Sequence, residues 1–133
     1  KVSYAEVGVG SGTVRIAGMT KGSGMIQPNM ATTLGFLMTD AAVSPADLRR
    51  VLKIAADASY NRLSVDGDTS TNDMLAILAS GESGVTVRGE DLWAFGEAVK
   101  AVSQHLAEQI ASFDVLALLL PETRETCGGA EFQ

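Results

Sequence analysis

The sequence is short of the residues that many catalytic and scaffolding chemistries depend on. It has one cysteine, Cys127, and one histidine, His105, in 133 residues. A single cysteine excludes an internal disulfide framework and any CxxC zinc or redox site. A single histidine leaves little material for a His-rich metal centre. Basic charge is also scarce: ten Lys plus Arg stand against sixteen Asp plus Glu, a net charge of −6, and no basic run occurs. Nucleic acid and anionic membrane surfaces are therefore poor partners, since both need clustered cations. The longest apolar runs, Met74 to Ala79 and Val115 to Leu120, are six residues each, far below the roughly twenty needed to span a bilayer. The N-terminus lacks a charged-then-apolar signal pattern. It opens on Lys1 rather than Met, so the expectation is a piece of a longer chain.

What remains describes a globular protein: 46% of residues are hydrophobic and 20% charged. The length suits one domain, able to hide about two thirds of its unfolded surface. The segments Lys1 to Val9 and Thr13 to Ile16 read as strands broken by Gly10, Ser11 and Gly12. Lys21 to Gly24 reads as a loop, and Pro28-Asn29 as a turn. Thr32 to Met38, rich in β-branched and apolar residues, reads as a buried strand.

Ser44-Pro45-Ala46-Asp47 predicts a helix start, with an N-cap Ser, Pro at the first helical position and an acid three residues on. Val43 and Leu48 flank it as a hydrophobic staple. Leu48, Val51, Leu52, Ala55 and Ala56 carry the apolar stripe to about Ser59. Arg62 to Val65 reads as a short strand and Asp66 to Asp73 as a polar turn; Met74 to Ala79 fits a strand or a helix, and the early stop at Gly81 favours the strand. A long helix is expected from Gly89-Glu90-Asp91, buried through Leu92, Phe95, Val99, Val102 and Leu106. Beyond about Ala111 the pattern changes. Asp114 to Leu120 reads as a buried strand, followed by a polar, Gly-containing tail.

On spacing alone, few residues point to chemistry. Neither Gly-Ser-Gly triplet, at residues 10–12 or 22–24, fits a nucleotide-binding or nucleophile-elbow motif. Asp66, Asp68 and Asp73 lack the glycine and closing glutamate of a calcium loop, so a turn capped by its own side chains is the simpler reading. His105 has only Glu108 nearby at ligand spacing and reads as a helix-flank residue. Nothing adjacent to Cys127 lowers its pKa clearly.

Two longer stretches carry more. The segment Lys21-Gly22-Ser23-Gly24-Met25-Ile26-Gln27-Pro28-Asn29-Met30-Ala31-Thr32 resembles a signature of the ornithine acetyltransferase family. That family comprises glutamate N-acetyltransferase and its bifunctional form, which also acts as an amino-acid acetyltransferase. A second segment, Tyr60-Asn61-Arg62-Leu63-Ser64-Val65-Asp66-Gly67-Asp68-Thr69-Ser70-Thr71-Asn72-Asp73, resembles another of its hallmarks, in the same order. The resemblance runs to about residue 110, over perhaps a third of a full-length member. Residues 111–133 read as a divergent tail on a partial acetyltransferase domain.

The resemblance implies an α/β (α+β) sandwich of stacked mixed sheets flanked by helices. It implies self-cleavage between Ala31 and Thr32, which frees Thr32 as an N-terminal nucleophile. It also implies acetyl transfer from N-acetylornithine to glutamate through an acetyl-Thr32 ester, in arginine biosynthesis. A threonine hydroxyl is a poor nucleophile without a base, and the freed α-amine supplies one. Lys21 matches the family's substrate-binding lysine, and its ammonium suits a substrate carboxylate. Ser23 reads as a structural hydroxyl. No cofactor or metal is implied, although acetyl-CoA is an additional acetyl donor in bifunctional members. The implied partners are small molecules, with no nucleic acid or membrane, and two processed chain pairs would assemble as a heterotetramer. The implied location is the cytoplasm, or an organelle if the source is eukaryotic.

Asp66, Asp68, Asn72 and Asp73 are expected in a buried polar network around the site. Thr33 stands where many relatives carry a bulkier apolar residue. The oxyanion-hole Thr-Gly pair of the family would fall before Lys1. The Gly-Glu-Gly-Ala-Thr-like stretch expected after the long helix is replaced by Ala111-Ser112-Phe113-Asp114-Val115-Leu116. Two further readings follow: an inactive remnant or assembly module of such an enzyme, and an N-terminal-nucleophile amidase or aminopeptidase. The Lys-Gly-Ser-Gly to Ala-Thr motif argues against the last.

Overall fold

The computed structural model describes residues 1–22, 33–62 and 73–119, with side chains in the last stretch through Ser112. Four strands form one mixed sheet in the order β1-β2-β3-β4. They are β1 (Val2–Val9), β2 (Gly12–Lys21), β3 (Leu34–Thr39) and β4 (Met74–Ala79). The pairs β1–β2 and β2–β3 are antiparallel, and β3–β4 is parallel. Helix α1 (Pro45–Ala58) makes the crossover that a parallel pair requires, and helix α2 (Asp91–Leu119) follows β4. This mixed α/β architecture is the class expected from sequence. The second sheet of the expected sandwich is not among the described residues.

The start of α1 follows the capping chemistry. Ser44 keeps an extended backbone, its Oγ accepts from the Asp47 amide at 3.2 Å, and its hydroxyl donates to Asp47 Oδ2 at 2.9 Å. The start of α2 is tied to the β1–β2 hairpin, where the Gly10 amide donates to Asp91 Oδ1 at 3.0 Å.

One face of the sheet is covered. Val14 and Ile16 of β2 and Leu37 of β3 are fully buried there, against Val51 and Ala55 of α1 and Phe95, Val99, Val102 and Leu106 of α2. The predicted stripe of α2 is thus the side that seats on the sheet. Gly18 permits that seat: a Cβ at this position would lie 2.7 Å from Leu106 Cδ1 and 2.8 Å from Leu37 Cδ2. By strand alternation, the opposite face carries Val2, Tyr4, Met19, Phe36, Met38, Met74 and Leu78. Among the described residues nothing covers it, and Val2 is 70% and Leu78 58% exposed.

Three expectations are corrected. The expected strand Asp114 to Leu120 is helical instead as far as Leu119, where α2 ends, and Leu120 lies outside the described residues. A short apolar run has no intrinsic period to separate strand from helix, and no Gly or Pro interrupts the chain between Gly96 and Pro121. Arg62 closes a 3₁₀ turn, Tyr60–Arg62, rather than opening a strand; residues 63–65 lie outside the described residues. The second strand is longer than Thr13 to Ile16, taking in Gly12 at one end and Lys21 at the other. The apolar content of Val14 to Thr20 outweighs the interruption by Gly18 because that glycine faces a helix.

Candidate functional site

The site is built at one end of the sheet, where the three described stretches meet. The β2–β3 register sets Lys21 opposite Leu34, and the β3–β4 register sets Leu34 opposite Met74. One row across the sheet therefore joins the lysine of the first motif, the strand that follows Thr32, and the residue after the second motif. Segments some forty residues apart in sequence become neighbours through pairing alone.

The start of β3 is held from both sides. Toward β4, the Thr33 amide donates to Asp73 Oδ1 at 2.8 Å, and the Met74 amide donates to the Thr33 carbonyl at 2.9 Å. Toward β2, the Thr20 hydroxyl donates to the Leu34 carbonyl at 3.0 Å. Thr20 itself is buried. Helix α2 reaches the same end, since a Cβ on Gly22 would lie 3.2 Å from Ile110 Cγ2. Gly22 thus lets the chain leave β2 close against the helix.

Tyr60 closes the covered side of this corner. A Cβ on Gly35 would lie 3.2 Å from its hydroxyl and 2.7 Å from Leu75 Cδ1, so Gly35 makes room for both. The Tyr60 hydroxyl is buried and has no hydrogen-bond partner among the described residues. Burial is the main influence on its pKa and pushes it up.

Of the residues singled out from sequence, Lys21 is exposed at the end of β2. Ala31, Thr32, Ser23, Asp66, Asp68, Asn72 and Cys127 lie outside the described residues. Asp73 is exposed rather than buried, and it serves a backbone amide. The His105 ring is engaged by neutral groups: Ser3 Oγ lies 3.0 Å from its Nδ1, which ties α2 to β1, and Gln109 Nε2 of the same helix lies 3.0 Å from its Nε2. Among the described residues, no three His, Cys, Asp or Glu side chains cluster as metal ligands would. Sequence reasoning missed Thr20 and Tyr60. Thr20 lies within an ordinary strand pattern, so only the fold reveals its carbonyl partner.

A model of the ArgJ family matches residues 1–113. The chain belongs to the ArgJ family. Among its curated relatives is the arginine biosynthesis bifunctional protein ArgJ of Nitratidesulfovibrio vulgaris, 52% identical over 107 residues, or 80% of this chain and 27% of that protein. The protein of the same name from Chlorobaculum tepidum is 54% identical over 111 residues, 83% of this chain and 28% of the relative. A mitochondrial ArgJ of Penicillium rubens is 58% identical over 87 residues. Among solved structures, the crystal structure of the arginine biosynthesis bifunctional protein ArgJ from Bacillus halodurans matches with a TM-score of 0.51 at 37% identity. The match covers 54% of this chain and 35% of that one. The chain spans about a quarter to a third of the length of the ArgJ relatives compared over most of its residues.

Proposed function

We propose that this chain is the part of an ArgJ acetyltransferase that holds the self-cleavage junction and its nucleophile. In this reading Thr32 Oγ attacks the Ala31 carbonyl and displaces the Thr32 nitrogen. Water then hydrolyses the resulting ester, leaving a free hydroxyl and a free α-amine on Thr32. A terminal amine titrates near pH 7.7 to 8.0 in an unperturbed peptide, so a useful fraction is neutral near pH 7. That amine takes the hydroxyl proton as Oγ attacks the acetyl carbonyl of N-acetylornithine. Ornithine leaves as the amine, and an acetyl ester remains on Thr32. The amine of glutamate attacks that ester, regenerating Thr32 and releasing N-acetylglutamate.

The observation that carries this reading is the row Lys21–Leu34–Met74. It sets the cation suited to a substrate carboxylate within one strand spacing of the segment leading out of Thr32. The reading further assigns residues 1–110 to a partial domain and 111–133 to a divergent tail. The bare apolar face of the sheet is then the surface on which the second sheet of the sandwich stacks. Acetyl-CoA serves as a second donor, and assembly is by processed chain pairs. The location is the cytoplasm in bacteria, with the mitochondrion as the fungal counterpart. No helix among the described residues is long and apolar enough to cross a membrane.

The test is mass spectrometry of the longest natural protein that carries this sequence, followed by incubation with N-acetylornithine and glutamate. The expected result is a piece beginning at Thr32 that gains one acetyl group from N-acetylornithine and loses it to glutamate. A chain that stays intact, or a cut chain that never carries acetyl on Thr32, refutes the reading.

A further inference from the structure

The peptide group that follows Thr32 is the best-defined feature beside the proposed junction. Its N–H belongs to Thr33 and points to Asp73 Oδ1 at 2.8 Å, while the Thr33 carbonyl accepts from the Met74 amide at 2.9 Å. Both peptide groups of Thr33 are therefore committed to one two-residue stretch, Asp73-Met74. The carbonyl bond extends the β3–β4 ladder, in which Leu34 stands opposite Met74. The amide bond is of another kind, because a side-chain carboxylate accepts it. An ionised acceptor makes such a bond shorter and about twice as strong as a neutral one. On the other flank the Leu34 carbonyl is held by the Thr20 hydroxyl.

We infer that Asp73 is a positioning residue for self-cleavage at Ala31–Thr32, acting through the Thr33 amide; the inference rests on the reading of Thr32 as nucleophile. The Thr33 nitrogen is bonded directly to the Thr32 carbonyl carbon. Fixing that nitrogen orients the peptide plane from which the reacting residue extends. Fewer rotations are then left to be frozen when the hydroxyl approaches the preceding carbonyl, and this is where intramolecular reactions gain their rate. It also explains why two motifs so far apart in sequence belong to one site. The second motif ends on the residue that holds the peptide emerging from the first.

The experiment compares Asp73→Ala and Asp73→Asn in the longest natural chain carrying this sequence. The readout is the rate at which the piece beginning at Thr32 appears by mass spectrometry. Thermal unfolding is followed in parallel in a Thr32→Ala background, where no cut intervenes. Losing the charge-assisted bond should slow cleavage by about tenfold or more in Asp73→Ala. Asp73→Asn, whose side-chain oxygen accepts the same hydrogen bond, should recover most of the rate. Unfolding midpoints should stay within a few degrees of one another. Cleavage of Asp73→Ala at the unsubstituted rate overturns the inference. So does an Asp73→Asn chain as slow as Asp73→Ala, or an Asp73→Ala chain that fails to fold, which would assign the bond to stability alone. Failure of the underlying reading looks different: the unsubstituted protein does not cut, or Thr32→Ala still does.

Discussion

Substituting Gly18 by alanine tests how tightly α2 seats on the sheet. Two terms oppose each other. Removing a glycine from the unfolded chain's freedom stabilises a compatible site by about 0.4–1 kcal/mol. The added Cβ, however, would lie 2.7 Å from Leu106 Cδ1, 2.8 Å from Leu37 Cδ2 and 3.0 Å from Val102 Cγ1, where carbon atoms prefer about 3.5–4.0 Å. Leu106 and Leu37 are fully buried and Val102 nearly so, so the displaced methyls have no open space to enter. Overpacking of this kind costs about 1–3 kcal/mol, and the balance is a net loss of about 1–2 kcal/mol. Gly8→Ala is the matched control, since a Cβ there meets nothing within 4 Å; it should be neutral or slightly stabilising. Urea unfolding of both variants in the intact protein measures the difference. A Gly18→Ala protein as stable as Gly8→Ala would falsify the packing argument. A Gly18→Ala/Leu106→Ala double variant should lose less than the sum of its parts, because the two changes share one space.

Other consequences can be checked more simply. Ser44→Ala removes the acceptor for the Asp47 amide and should cost about 1 kcal/mol in denaturant unfolding; an unchanged midpoint would show that the cap is idle. Hydrogen bonds from Tyr4 and Arg15 hold the Glu6 carboxylate below its ordinary value of 4.5. A depressed folded pKa contributes stability above the unfolded value, and that contribution is lost as pH falls through the folded one. Unfolding measured from pH 5 downward should therefore be less pH-dependent in Glu6→Gln, and an NMR titration placing Glu6 at or above 4.5 would remove the basis of that expectation.

Elements whose ends are written in local chemistry were legible from sequence. Ser44-Pro45 marks α1, and the spacing of Phe95, Val99, Val102 and Leu106 marks the buried side of α2. What escaped was set by partners distant in sequence. The apolar run from Val115 fits a strand or a helix equally well, and α2 claims it because no breaker precedes Pro121. Arg62 lies where the chain turns under Tyr60, a placement that depends on Gly35 and Leu75. The site was half legible. Lys21 stood out through its motif, but its place beside Leu34 and Met74 depends on strand register, and register is a property of the whole sheet. Asp73 looked like one acid among several in a polar turn, and its bond to the Thr33 amide has no signature in spacing.

The order of strands gives a cut at Ala31–Thr32 an unusual outcome. It would fall between β2 and β3, which are hydrogen-bonded neighbours from Ile16–Thr39 to Lys21–Leu34. The hairpin β1–β2 would belong to one product, and β3, α1, β4 and α2 to the other, with α2 still lying across both strands of the hairpin. A single sheet would then be stitched from two polypeptides, with its seam in the middle. Neither product could leave without stripping a hydrogen-bonded edge and uncovering Val14 and Ile16 together with the α2 residues packed on them. Unfolding would turn from a unimolecular event into a dissociation, with a midpoint that rises with protein concentration.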